Sequence, residues 1–241
     1  MPSTTRSPRR SPPVSTSATG TDPRKGRHVM HTKHIYLIKH GETEENLRGI
    51  HQGQAVGGRL SERGRDDIRI VGSALAAAGI SADQMLVSPM SRCRESVTLL
   101  AAALSPADVR VDRRLAAKNS GYLGGRPREL AADEAARLGT PIHQLRTPSG
   151  ESSEDVQARY VNLWNEVRTG PHRTTVLVGH GGGIACLLLW LTGNGFKDYL
   201  QYVPGSAGVT WVEADGTAPR IRLMNVPPAN LPGFLTSRTA R

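Results

Sequence analysis

Two short apolar runs, more than a hundred residues apart, each stop at a histidine followed by a glycine. The first reads Ile35-Tyr36-Leu37-Ile38-Lys39-His40-Gly41, and the second runs from Thr174 to Val178 and ends in Gly179-His180-Gly181-Gly182-Gly183. Continuous β-branched and aliphatic runs of this length are the pattern of strands buried on both faces. A strand that halts at glycine and turns into a helix leaves its last side chains at the carboxyl edge of a sheet. In open α/β sheets that edge is where ligands bind. An imidazole beside a lysine at such an edge suits a nucleophile for an anion, most directly a phosphoryl group.

The intervening chain supports the same architecture. Ser61 caps an expected helix with Ile68, Val71, Leu75 and Ala78 on one face and Gly79 as its stop. Met85–Val87 reads as a strand, and a helix is expected from Met90 to Leu104, before Pro106. The stretch from Val109 to Arg128 reads as irregular, and 127–138 as helical. Ser152 leads into a further helix reaching Val167, and another follows Gly183 to Leu191. Val209–Val212 and Ile221–Met224 are strand candidates around a turn at Asp215-Gly216. Strands alternating with helices predict a three-layer α/β/α sandwich on a doubly wound, mostly parallel sheet.

Composition matters for the ends of the chain. Of the net charge of +10 at pH 7, residues 1–33 carry +6, from seven basic residues against Asp22. This Ser-, Thr- and Pro-rich stretch has no apolar periodicity and is expected to be a disordered basic tail, with Met30 as an alternative start. Deleting residues 1–32 should leave folding and activity intact. The domain is expected over 34–226, with 227–241 as a C-terminal tail. No apolar run is long enough for a bilayer, the longest being Ile184–Leu191. Two cysteines, both in helical patterns, argue for reduced thiols and a cytoplasmic location, with no membrane partner. His28, His31 and His34 recur every third residue but straddle the tail and a strand start, so no metal is assigned. Arginines without interleaved aromatics or a binding motif speak against a nucleic-acid ligand. Nothing in the sequence sets the oligomeric state, and no cofactor is expected.

A third element completes the edge: Ser88-Pro89-Met90-Ser91-Arg92 delivers an arginine into the first turn of a helix. With Lys39-His40-Gly41-Glu42-Thr43 before it and Gly150-Glu151-Ser152 and Val178-Gly179-His180-Gly181 after it, in that order, the chain resembles the histidine phosphatase superfamily, in its phosphoglycerate-mutase-like branch. The resemblance covers roughly Ile35 to Met224. It implies a phosphohydrolase for a small phosphorylated metabolite. His40 would carry the phosphoryl group, and Arg92 and His180 would clamp its equatorial oxygens. Lys39, Thr43, Asn46 and Gly181 would complete the phosphate pocket, with amides from the helix starts after Gly41 and Gly181.

Two positions depart from the family pattern. Lys39 stands where the family has arginine, keeping the charge but losing the planar fork. Loss of one charge-assisted hydrogen bond costs on the order of 1.5–3 kcal/mol. Ala117, in Leu115-Ala116-Ala117-Lys118-Asn119-Ser120-Gly121, stands where the family has its general acid. That function is typically worth about 10²–10⁴-fold in rate. Three accounts follow. The leaving group needs no proton; or Glu95, one turn beyond Arg92, or Lys118 donates it; or the chain binds a phosphorylated ligand without turnover.

Overall fold

The computed structural model describes residues 32–55, 57–215 and 218–239. The expected tail therefore lies outside the described residues up to His31, as do His28, His31 and Gly216. Thr32 and Lys33 lie within them, and Lys33 already opens the first strand, its ammonium donating to Gly170 O at 2.7 Å.

The chain runs β1 (Lys33–Lys39), α1 (Glu44–Leu47), β2 (Ile50–His51), α2 (Glu62–Ala77), β3 (Gln84–Val87) and α3 (Ser91–Leu104). It continues with β4 (Asp108–Val111), two short 3-10 turns, β5 (Arg126–Pro127), α4 (Glu129–Arg137), α5 (Ser153–Thr169), β6 (Thr174–Gly179) and α6 (Gly181–Thr192). It closes with α7 (Tyr199–Tyr202), β7 (Val209–Ala214), β8 (Arg220–Val226) and α8 (Leu231–Thr239).

Six strands form one sheet in the order β4-β3-β6-β1-β7-β8. The pairs β4/β3, β3/β6 and β6/β1 are parallel, while β7 is antiparallel to both β1 and β8. Alternation along β1 builds the two cores that flank it. Tyr36 and Ile38 pack with residues of α2, α3 and α8, such as Ile68, Leu100 and Leu231. Ile35 and Leu37 pack on the opposite face with α5 and α6, among them Trp164 and Leu188. The three layers expected from the sequence are thus present.

Local rules explain the helix ends. Ser61 Oγ accepts from Gly64 N at the start of α2, and Gly79 adopts φ +71° just past its end. Ser152 and Asp155 form a reciprocal cap on α5. Cys93 and Cys186 are free and buried.

Three expectations need correction. Of the expected tail 227–241, the described part up to 239 is not a tail: α8 buries Leu231 and Leu235 in the core against α2. Pro232 and Gly233 hide this helix from a propensity reading, but proline is tolerated in a first turn, and burial of two leucines four apart outweighs the glycine. The region from Val109 contains β4, an outer strand whose Val109 and Val111 side chains are exposed, so it lacks the buried pattern that betrays a strand. The helix expected over 127–138 starts only at Glu129, because Pro127 belongs to β5, which pairs antiparallel with β2 and pins Ile50 and His51. Among the described residues, no helix is long and apolar enough to cross a membrane.

Candidate active site

Sheet register brings the two histidines together. Lys39, the last residue of β1, pairs with Gly179, the last of β6, and His40 N donates to Gly179 O at 3.1 Å. His40 and His180 therefore leave adjacent parallel strands side by side, with ring centroids 5.2 Å apart and planes inclined by 61°. On the far side of β6, β3 ends level with Val178, and Ser88 just beyond it donates its amide to Val178 O at 3.0 Å. Helix α3 then carries Arg92 over the same edge.

Hydrogen bonds define the ring nitrogens. His40 Nδ1 lies 2.7 Å from Gly41 O, so it carries the proton and leaves the Nε2 lone pair free for attack. Burial, reinforced by Arg92 and Lys39, holds the His40 pKa well below the ordinary histidine value. The ring is therefore neutral through the neutral range. Arg92 Nη2 donates to His180 Nδ1 at 3.2 Å; because a guanidinium only donates, His180 Nε2 bears the proton and donates to Ser88 Oγ at 2.8 Å. Burial, then Arg92 and His40, lower the His180 pKa in turn. Arg92 is itself 2% exposed and reaches Gly53 O at 2.9 Å and Gly57 O at 3.2 Å.

Helix α6 starts at Gly181 with no side chain capping it, so its first amides are left for an anion. This start needs glycine at 183, where a Cβ would sit 2.1 Å from the Tyr160 ring. Lys39 lines the cavity while donating to Pro204 O at 3.2 Å, and burial, then Arg128, lower its pKa to about 8.

Two expected phosphate contacts are engaged elsewhere. Thr43 is fully buried and does not line the cavity; its Oγ1 caps α1 and accepts from Gln52 Nε2 at 2.7 Å. In the helix start expected after Gly41, the Asn46 amide is taken by Thr43 Oγ1 at 3.2 Å, and Gly41 N itself donates to Ser96 Oγ at 3.2 Å. Asn46 does line the cavity, its Oδ1 accepting from Thr43 N.

A cavity of about 800 Å³ opens above this floor. Its wall includes Ala117, Lys118, His51 and Arg128, with Lys197 and His143 also lining it. The backbone at position 117 is tightly held: Ala117 O accepts from Gln54 Nε2 at 2.8 Å and from Arg159 Nη2 at 3.1 Å. Arg159 also binds Arg114 O and Ala116 O and pairs with Glu151 at 2.9 Å. Glu95, a candidate donor by sequence, does not line the cavity. Its carboxylate accepts from Arg65 Nε at 2.7 Å and Leu60 N at 3.1 Å, tying α3 to the start of α2. Lys118 does face the cavity; its ammonium donates to Leu145 O at 3.1 Å, and burial lowers its pKa.

Sequence reasoning missed His51, Gln52 and Arg128. Their one local signal is polar and imidazole side chains amid glycines, which a loop reading treats as solvated. Among the described residues, five cations line the cavity (Lys39, Arg92, Lys118, Arg128 and Lys197) against one carboxylate, Glu151, already paired with Arg159. Such a cavity attracts anions.

Known proteins share this design. The chain is 26% identical over 169 residues to the 2,3-bisphosphoglycerate-dependent phosphoglycerate mutase of Brucella anthropi, covering 66% of this chain and 81% of that protein. The mycobacterial glucosyl-3-phosphoglycerate phosphatase, solved with VO3, superposes with a TM-score of 0.65 at 26% identity, covering 80% of this chain and 99% of that one. Bacillus stearothermophilus YhfR has the same fold, with a TM-score of 0.71 at 21% identity over 80% of this chain and 97% of its own. Residues 35–227 match the histidine phosphatase superfamily (branch 1) from the strand before His40 to just past β8, and the chain belongs to that family.

Proposed function

We propose that the protein is a phosphohydrolase that moves a phosphoryl group from a small phosphorylated metabolite to water through a phosphohistidine at His40. The observation that carries this reading is the His40 ring: buried, neutral, with Nδ1 committed to Gly41 O and Nε2 open beside Arg92 and His180.

The catalytic sequence follows from these groups. His40 Nε2 attacks phosphorus as the bond to the leaving oxygen breaks, dividing one difficult displacement into two. Arg92 and the first amides of α6 supply fixed donors for the equatorial oxygens, and His180 joins them when a phosphoryl oxygen takes the Nε2 proton that Ser88 Oγ accepts in the free site. Fixed donors of this kind usually contribute most to the rate. Lys39 adds charge, as a point cation rather than a fork. Asn46 contributes an amide at the rim, and Thr43 acts by holding Asn46 in place. Water then attacks the phosphohistidine and restores His40. Lys118 and Arg128 add positive charge around the leaving group, which favours a substrate with a second anionic function.

Ala117 favours a second reading, in which the cavity binds a phosphorylated ligand without turnover. The two separate in one experiment. The protein is incubated with phosphate monoesters, acyl phosphates and diphosphates, while phosphate release and acid-labile phosphoprotein are measured. Release with both signals lost in His40→Ala supports the hydrolase; binding without release supports the second reading. Formation of a phosphate isomer without free phosphate would instead indicate a mutase.

A further inference from the structure

We propose that His51 is the proton donor to the leaving group, performing the task of the acid for which position 117 offers only a methyl group. The proposal rests on the phosphohydrolase reading and deepens it.

The loop that carries His51 lies along the segment that carries Ala117. Gln54 Nε2 donates to Ala117 O at 2.8 Å, and a Cβ on Gly53 would come 3.2 Å from Lys118 O. His51 Nε2 lies 2.6 Å from Ser120 Oγ. A serine hydroxyl both donates and accepts, so it can hold the ring in either protonation state. Pairing of β2 with β5 fixes the backbone below, with Gly125 N donating to His51 O at 2.7 Å. Among the described residues, His51 Nδ1 has no hydrogen-bond partner, and the ring lines the same cavity as His40 and Ala117. One ring nitrogen is anchored and the other is left for a ligand.

The alternatives on this wall are already committed to other partners. Glu151 lines the cavity, but Arg159 grips both its oxygens and Asn119 N donates to it at 2.8 Å, so its carboxylate is held away from a ligand. The Lys118 ammonium is tied to Leu145 O, and Glu95 lies outside the cavity.

The charges facing His51 add a control. In the empty cavity, burial and then Lys118 and Arg128, with Arg92 behind them, keep the imidazole neutral. An anionic substrate seated among those cations cancels much of their field, so the ring takes up a proton once the substrate is bound. In the first step the His40 Nε2–P bond forms, the P–O bond breaks, and the His51 proton passes to the leaving oxygen. In the second, water attacks phosphorus, its proton goes to the now neutral His51, and the P–N bond breaks. Hydrogen phosphate leaves, His51 returns to solvent the proton it took up on substrate binding, and both histidines are back in their starting states.

The test compares p-nitrophenyl phosphate, whose phenolate leaves without a proton, with glycerol phosphate, whose alkoxide does not. His51→Gln and His51→Asn are assayed beside wild type, and thermal melting identifies any variant that has not folded. The expected result is a fall of about 10²-fold in the alkyl-to-aryl ratio of kcat, with loss of the basic limb of the alkyl pH profile. A folded variant in which both rates fall equally, or neither falls, overturns the proposal. If wild type hydrolyses neither of these nor the acyl phosphates and diphosphates, the phosphohydrolase reading fails, and this proposal with it. If wild type hydrolyses only the substrates that need no proton, this proposal alone fails.

Discussion

The floor of the cavity and its wall are built on different principles. The floor comes from three strand ends: His40 after β1, His180 after β6, and Ser88 with Arg92 after β3. Their spacing is set by backbone register, Lys39 against Gly179 and Val87 against Val178. The wall comes from loops that no strand of the main sheet supports, held together by long side chains such as Arg159 and by the two-residue pairing of β2 with β5. A sheet edge cannot shift one residue without turning its side chains to the other face, so the floor is rigidly specified. A loop wall tolerates replacement of the groups it carries.

The largest expected effect tests the floor. His40→Ala should reduce phosphate release to background and abolish the acid-labile phosphoprotein; persistence of either in the purified variant would remove His40 from the chemistry. Next comes Arg92→Ala, expected to lower kcat by roughly 10²–10³-fold, as for loss of one fixed transition-state donor. Arg92→Lys should recover part of this loss, and full recovery would show that charge alone matters there.

The wall is probed by Ala117→Glu, which restores a carboxyl group beside the leaving group. Glycerol phosphate turnover should rise by at least about tenfold, the lower part of the range for acid catalysis. In this background, His51→Gln should then cost little. If the double variant is as impaired as His51→Gln alone, a carboxyl group at 117 does not reach the leaving oxygen. Arg159→Ala should cost about 1–3 kcal/mol of stability by leaving the carbonyls at 114 and 116 without their side-chain donor and taking one donor each from Ala117 O and the Glu151 carboxylate. Denaturant unfolding measures this, and a change under about 0.5 kcal/mol would show that the wall does not depend on it.

The smallest effect belongs to Lys39. Its pKa is lowered to about 8, so its charge is present below that pH and lost above it. Phosphate affinity should therefore decline as pH rises through about 8. Lys39→Arg, charged throughout, should flatten that decline and tighten binding a few-fold, by the added fork. Calorimetric titration across this range decides, and an unaltered profile in the variant would place the Lys39 charge away from the bound phosphate.

How legible the molecule was divides along the same line. The β1 and β6 runs, the Ser61 and Ser152 caps, the stops at Gly79 and Ser105-Pro106, and the arginine in the first turn of α3 are all local patterns. Each reports its own element and its end. The same locality misled at Glu95, which lies one turn from Arg92 but points to Arg65 and Leu60. It misled also at Thr43, whose hydroxyl serves a cap. At α8, proline and glycine concealed a helix that two buried leucines hold in place.

From the amino-acid order alone come the strand-ending histidines, the layered α/β architecture and the residues of the cavity floor, because period, capping and turn chemistry act over a few residues. Tertiary structure decided the rest. With β6 inserted between β1 and β3, distant segments meet over one edge, so His51 faces Ser120, Arg128 acts on Lys39, and Arg159 braces position 117. Those meetings depend on strand order and on loop packing against side chains from other layers, which no window along the chain contains.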